Sequence, residues 1–231
     1  MNSPRQNGQA AMTLTRLNLD TDEDADGARY YHTPMGRLPS VTTILRATEE
    51  DQAVLNAWRS RVGPVRAAII AAQARERGIA FHEEMEAYFQ AGRPAISGSA
   101  YLESVRPFLN RLGEIGLVEG AVWHPLGFAG CVDCVALVDG VLSIIDWKTA
   151  SSPKHPDWVI DQHLQVEAYR AAVEKHYRVR IPRGFVVFAL ASEDAQVFET
   201  LDLDGAFSAF AERFEMFQGS VTALSQRESA E

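Results

Sequence analysis

The chain has 231 residues, 46% of them hydrophobic and 23% charged, enough to bury a sizeable core as one large domain with an insertion, and no apolar run reaches the length of a bilayer span. Two cysteines exclude a disulfide framework or a four-cysteine cluster within one chain, and a net charge of −9 argues against a uniformly basic nucleic-acid surface. The polar start, Met1 to Gln9, has no secretory apolar stretch, so the expected location is the cytoplasm, with no membrane partner.

In chain order, residues 1 to 11 are expected to be disordered. Residues 20 to 28 hold Asp20, Asp22, Glu23, Asp24 and Asp26 and read as an acidic loop, so 1–28 forms a segment without chemistry. The stretches 29 to 32 and 38 to 45 flank a turn-like Thr33 to Gly36, which predicts a short hairpin and then a helix starting at Ser40 or Thr42. From about 50 to 116 apolar residues recur at helical spacing, broken at Gly63-Pro64, at Gly78 and through Gly92 to Gly98; 29–116 is thus a hairpin and a block of three or four helices. Within this block Gln52 to Ala80 carries Arg59, Arg61, Arg66, Arg75 and Arg77 against the single acid Glu76, a local +4 that leaves −13 elsewhere. A solvated helix face and a patch that steers an anionic ligand fit those arginines equally well.

From Gly116 the period becomes strand-like, in segments near 118 to 124, 130 to 138 and 141 to 147, the last two joined by the hairpin signal Asp139-Gly140. A helix over 156 to 177, strands near 184 to 191 and 197 to 202, and a helix over 205 to 218 follow. This order predicts an α/β fold with a mixed central sheet flanked by helices, a core over 117–220 and a flexible tail over 221–231.

The residues that carry chemistry lie on the central hairpin. Asp146 and Lys148 are two apart on a strand and share a face, while Trp147 points into a core. The run through Ile144 and Ile145 buries that strand up to Asp146, an expensive place for a charge unless it is paired or holds metal. If Asp139-Gly140 is a two-residue turn, Asp133 falls nearly opposite Asp146, and two carboxylates so placed can hold one hard cation, as phosphodiester cleavage requires. Lys148 would then orient or deprotonate the attacking water, or stabilise charge. The bland reading is a buried Asp-Lys ion pair. His82 with Glu86, and Gln165 with Tyr169, are pairs at helical spacing that line a cleft or simply complete a core. Cys131 and Cys134 invite a zinc or redox reading, but residues three apart on a strand face opposite sides.

Taken together, Gly78-x-x-x-His82, Glu119, Gly130-x-x-Asp133, Asp146-x-Lys148 and Gln165-x-x-x-Tyr169 resemble the RecB-like branch of the PD-(D/E)XK nucleases. Within that branch the likeness, from about Pro39 to Tyr169, is to the mitochondrial genome maintenance exonuclease and its bacterial and phage relatives. The resemblance implies a restriction-endonuclease-like sheet with an N-terminal helical arch. It implies that His82, Asp133, Asp146 and the backbone carbonyl of Trp147 bind Mg²⁺, with Mn²⁺ as a substitute, and that Lys148 is the catalytic lysine. Glu119 joins the catalytic set, while Gln165 and Tyr169 support the site or contact the strand. Arg59, Arg61, Arg66, Arg75 and Arg77 are the candidates to line the arch for single-stranded DNA. The superfamily's proline is Val132 here, the four cysteines of iron-sulfur relatives are missing, and no helicase-type phosphate loop is present.

The expectation is therefore a Mg²⁺-dependent DNA exonuclease preferring single-stranded ends or flaps. It would act in replication, repair or recombination, beside proteins of those pathways, in a bacterial or phage-infected cell. A structure-specific endonuclease of the same fold and a non-catalytic nucleic-acid-binding module are the competing readings.

Overall fold

A computed structural model describes residues 14–49, 52–93 and 98–228; the disorder expected of residues 1 to 11 and the last residues of the tail lie outside these. The chain opens with a small antiparallel sheet, β1 (Thr21–Glu23), β2 (Arg29–Thr33) and β3 (Gly36–Pro39), in sequential order. The hairpin of β2 and β3 is where the turn signal placed it. β1, however, lies inside the stretch read as an acidic loop. Its acids are matched across the ladder, Asp22 by Arg37 and His32 and Glu23 by Arg29, so charge does not keep it from pairing.

Ser40 caps α1 (Val41–Ala47) by accepting from the Thr43 backbone N–H at 3.0 Å, as its residue type predicts. Two helices follow, α2 (Gln52–Val62) and the long α3 (Pro64–Gln90), then α4 (Ala100–Leu109) capped by Ser99. The break expected at Gly78 does not occur. The glycine is flanked by good helix formers, whose propensity outweighs the cost of one bare backbone position.

The central sheet has five strands in the order β4 (Leu112–His124), β5 (Phe128–Val138), β6 (Val141–Ala150), β7 (Arg183–Leu190) and β8 (Gln196–Glu199). All neighbours are antiparallel except β6 and β7, which are joined by α5 (Ile160–Tyr177), so the sheet is mixed as expected. At the β5–β6 turn Asp139 and Gly140 both have positive φ, 51° and 82°, the two-residue geometry that Asp-Gly favours. β4 begins several residues before its expected start, and α6 (Leu203–Glu228) runs past its expected end.

Helices cover both faces of this sheet. One core joins α1, α5 and α6 to Val132, Ile144, Val186 and Phe188; the other joins α3 and α4 to Cys134, Ile145, Trp147, Phe185 and Val187. The alternation of Ile144 and Ile145 between the two cores fixes the register of β6, and with it where Asp146 and Lys148 emerge. The α2–α3 arm is different: α2 packs chiefly on α3, and Val65 and Ile69 are 73% and 52% exposed.

Candidate active site

Three acids occupy successive strands of the sheet. The β4–β5 register (Val118 with Cys134, Gly120 with Val132) sets Glu119 against Asp133, and the β5–β6 register (Cys134 with Ile145) sets Asp133 against Asp146. Both ladders are interrupted at this row. Glu119 has φ 47°, a left-handed conformation that costs a non-glycine residue about 1–3 kcal/mol and that clusters at functional positions. Asp133 uses one carboxylate oxygen to accept from the Trp147 N–H at 2.7 Å, which ties β5 to β6 where their ladder ends.

Lys148 and Asp146 share a face. The Lys148 Nζ lies 2.7 Å and 2.6 Å from the two Asp146 carboxylate oxygens, and Gln165 of α5 donates to Asp146 Oδ1 at 2.8 Å. Asp146 is 1% exposed, and its Oδ2, despite the ion pair, makes no hydrogen bond of good geometry. His82, delivered by α3, places Nε2 at 3.0 Å from the Trp147 carbonyl and Nδ1 at 3.1 Å from Glu119 and 3.7 Å from Asp133. Both ring nitrogens thus face acceptors, the arrangement of an imidazolium.

The electrostatics follow from crowding. Burial, and then the Asp146 charge, push the Asp133 carboxyl well above the usual range. Burial pulls the His82 imidazole down, but Asp133 and the Glu119 hydrogen bond outweigh it and raise it to about 9. Burial likewise opposes the Lys148 ammonium, yet Asp146 and Asp133 hold it above its ordinary value.

The donor set suits a hard divalent cation. His82, Glu119 and Asp133 offer ligand atoms all within 4.8 Å of one another, with the Trp147 carbonyl beside them and the incompletely bonded Asp146 Oδ2 on the neighbouring strand. Lys148 and His82 offset part of the charge of three carboxylates gathered in a mostly buried row, and a divalent cation would offset the rest.

The profile of the PD-(D/E)XK nuclease superfamily matches residues 16–228, nearly the whole described chain. The chain belongs to that superfamily. Its members generally use divalent metals, in accord with the acid-rich centre. Mitochondrial genome maintenance exonuclease 1 of Mus musculus is 32% identical over 167 residues, covering 66% of this chain and 49% of the mouse protein. The Xenopus tropicalis protein of the same name is 33% identical over 173 residues, covering 68% and 50%. This member of the superfamily spans about half the length of these curated relatives. A crystal structure from Eubacterium rectale, assigned provisionally as an exonuclease, shows a TM-score of 0.41 at 16% identity over 56% of this chain and 52% of that one.

Of the other expected residues, Tyr169 packs against Gly130, where a Cβ would lie 2.3 Å from its ring; the glycine of Gly130-x-x-Asp133 is thus the space the tyrosine fills. Glu86, one turn beyond His82, turns away to pair with Arg16 of the segment that runs beside β4. Cys131 donates its thiol to Glu119 at 3.3 Å, while Cys134 is buried in the other core, so the pair does not form a metal site. Arg77 donates to Thr149 at 3.2 Å, beside the centre. Arg75 lines a cleft of about 330 Å³ with Arg29, Thr42, Thr43, Arg46 and Glu23. Arg59, Arg61 and Arg66 are exposed on the α2–α3 arm. Arg29 and Arg46 escape sequence reasoning because nothing local links them to residue 75; only the packing of α1 and β2 near α3 does.

Proposed function

We propose that this chain is a Mg²⁺-dependent exonuclease that hydrolyses phosphodiester bonds in DNA, prefers single-stranded ends or flaps, and serves replication, repair or recombination. The observation that carries the reading is the convergence of Glu119, Asp133 and Asp146 from three neighbouring strands on Lys148 and His82. Asp133, Asp146, His82, Glu119 and the Trp147 carbonyl are the groups that would hold the cation, His82 giving up a proton to do so. When bound, the cation neutralises the scissile phosphate and acidifies a water.

The chain's own residues do the rest. Lys148, kept protonated by its acidic neighbours, donates to a phosphate oxygen or to the attacking water and stabilises developing charge; that favours an electrostatic role over general-base work. Gln165 holds the Asp146 carboxylate in place, and Tyr169 backs β5 at Gly130. Arg77 beside Thr149 and the Arg29, Arg46 and Arg75 cleft offer a cationic path, with Arg59, Arg61 and Arg66 on the arm as an arch above it. A strand can be held by such a passage while the rest of the surface stays acidic.

The exonuclease reading also draws on the names of the relatives; replication or recombination proteins are the partners we propose with it. End-labelled linear and circular single-stranded DNA, incubated with Mg²⁺, test it. Linear strand should be degraded and circular strand should persist. Cutting of the circle makes the protein a structure-specific endonuclease, and binding without cutting makes it a non-catalytic module.

A further inference from the structure

Gly78 lies in the interior of α3, where a glycine costs helix stability relative to alanine. It is the first member of the stripe Gly78, Phe81, His82 and Met85, whose spacing puts all four on one helix face. Phe81 and Met85 are buried in the core, and His82 reaches the acidic row. Gly78 meets nothing: a Cβ built on it finds no atom within 4 Å beyond its own stretch of helix. No side chain needs the space, and φ is not in the left-handed region, so neither packing nor backbone geometry explains the residue.

The gap has a definite place. On one side Arg77 bonds Thr149 at 3.2 Å, and on the other His82 bonds the Trp147 carbonyl at 3.0 Å, so α3 is pinned to the end of β6 on both sides of the position that carries Lys148. Along the same helix Arg75 enters the cationic cleft with Arg29 and Arg46.

We infer that the bare backbone at Gly78 is the passage through which the nucleic-acid strand reaches the centre, the sugar-phosphate chain of a single strand packing directly on α3. Gly78 is then a specificity-determining residue: any side chain there narrows the passage without touching the acidic row. This rests on the proposed nuclease reading, and the test separates the two.

Wild type, Gly78→Ala and Gly78→Leu are compared in three measurements: thermal melting, Mn²⁺ affinity by calorimetry, and binding of a labelled single-stranded oligonucleotide in Ca²⁺, followed by its cleavage in Mg²⁺. Both variants should melt higher, by about 2–4 °C, since each is a better helix former placed in open space. Mn²⁺ affinity should be unchanged. Oligonucleotide affinity should fall, weakly for alanine and by about tenfold or more for leucine, with cleavage falling in parallel. A leucine variant that binds and cuts like wild type overturns the passage alone. A wild type that binds strand in a Gly78-sensitive way but never cuts it overturns the nuclease reading and leaves the passage. A wild type that binds no strand overturns both.

Discussion

Asp133 stands in the middle of the row of acids, and its neighbours show how closely the site depends on packing behind it. Three residues before it, Gly130 gives its side-chain space to the Tyr169 ring. Gly130→Ala would force that ring or β5 to move, so we expect a loss of about 1–3 kcal/mol in denaturant unfolding, with a matching fall in nuclease activity. Tyr169→Ala should lose stability and activity as well, because it empties the space behind β5. A Gly130→Ala variant as stable and active as wild type would show that the packing is incidental. Glu119 makes a similar point, since its left-handed backbone breaks the ladder at the very position where a carboxylate is needed.

At the scale of elements, α3 links the parts of the site: the arm, Arg75 in the cleft, Arg77 at Thr149, Gly78 at the gap and His82 at the acids. Charge reversal in the cleft, Arg46→Glu or Arg75→Glu, should raise KM for single-stranded substrate and leave kcat nearly intact. The salt dependence of binding should flatten by about 0.7 in log-log slope for each phosphate that is no longer neutralised. An unchanged slope would remove the cleft from the strand's path. Much at this level is legible in the sequence. Period-two alternation places Asp146 and Lys148 together and Trp147 in the core, and Asp139-Gly140 fixes the register that sets Asp133 against Asp146. What is not legible depends on tertiary approach: Arg29 and Arg46 meeting Arg75, Glu86 turning to Arg16, Gly130 yielding to Tyr169. The strand β1 is hidden for a related reason, because its acids read as loop until their cross-strand cations are known.

For the whole molecule, the sheet carries buried charge on more than one side. Glu167 is fully buried on α5, and burial pushes its carboxyl up to about 7 even though Arg170 is its partner. A carboxyl raised in the folded state contributes stability that is full below its ordinary value near 4.5 and lost as pH rises through about 7. Asp133 acts in the same direction when no metal is bound. In metal-free buffer Glu167 and Asp133 should therefore each lower the melting temperature as pH rises from 4.5 to 7, and Glu167→Gln should remove its share of that loss; an identical profile in the variant would refute the assignment. On the proposed function, an acidic protein can hold an anionic strand because Arg29, Arg46, Arg75 and Arg77 are grouped beside the centre while most of its acids lie elsewhere.

The central proposal is that the acidic row and Lys148 act together on a phosphodiester. The most direct measurement is cleavage of an end-labelled linear single strand by wild type and by Lys148→Ala, each with Mg²⁺ and with EDTA. Wild type should cut with Mg²⁺ only, and Lys148→Ala should be slower by about a hundredfold, about 2.7 kcal/mol of transition-state stabilisation. Undiminished cutting in EDTA, or by the variant, would contradict it.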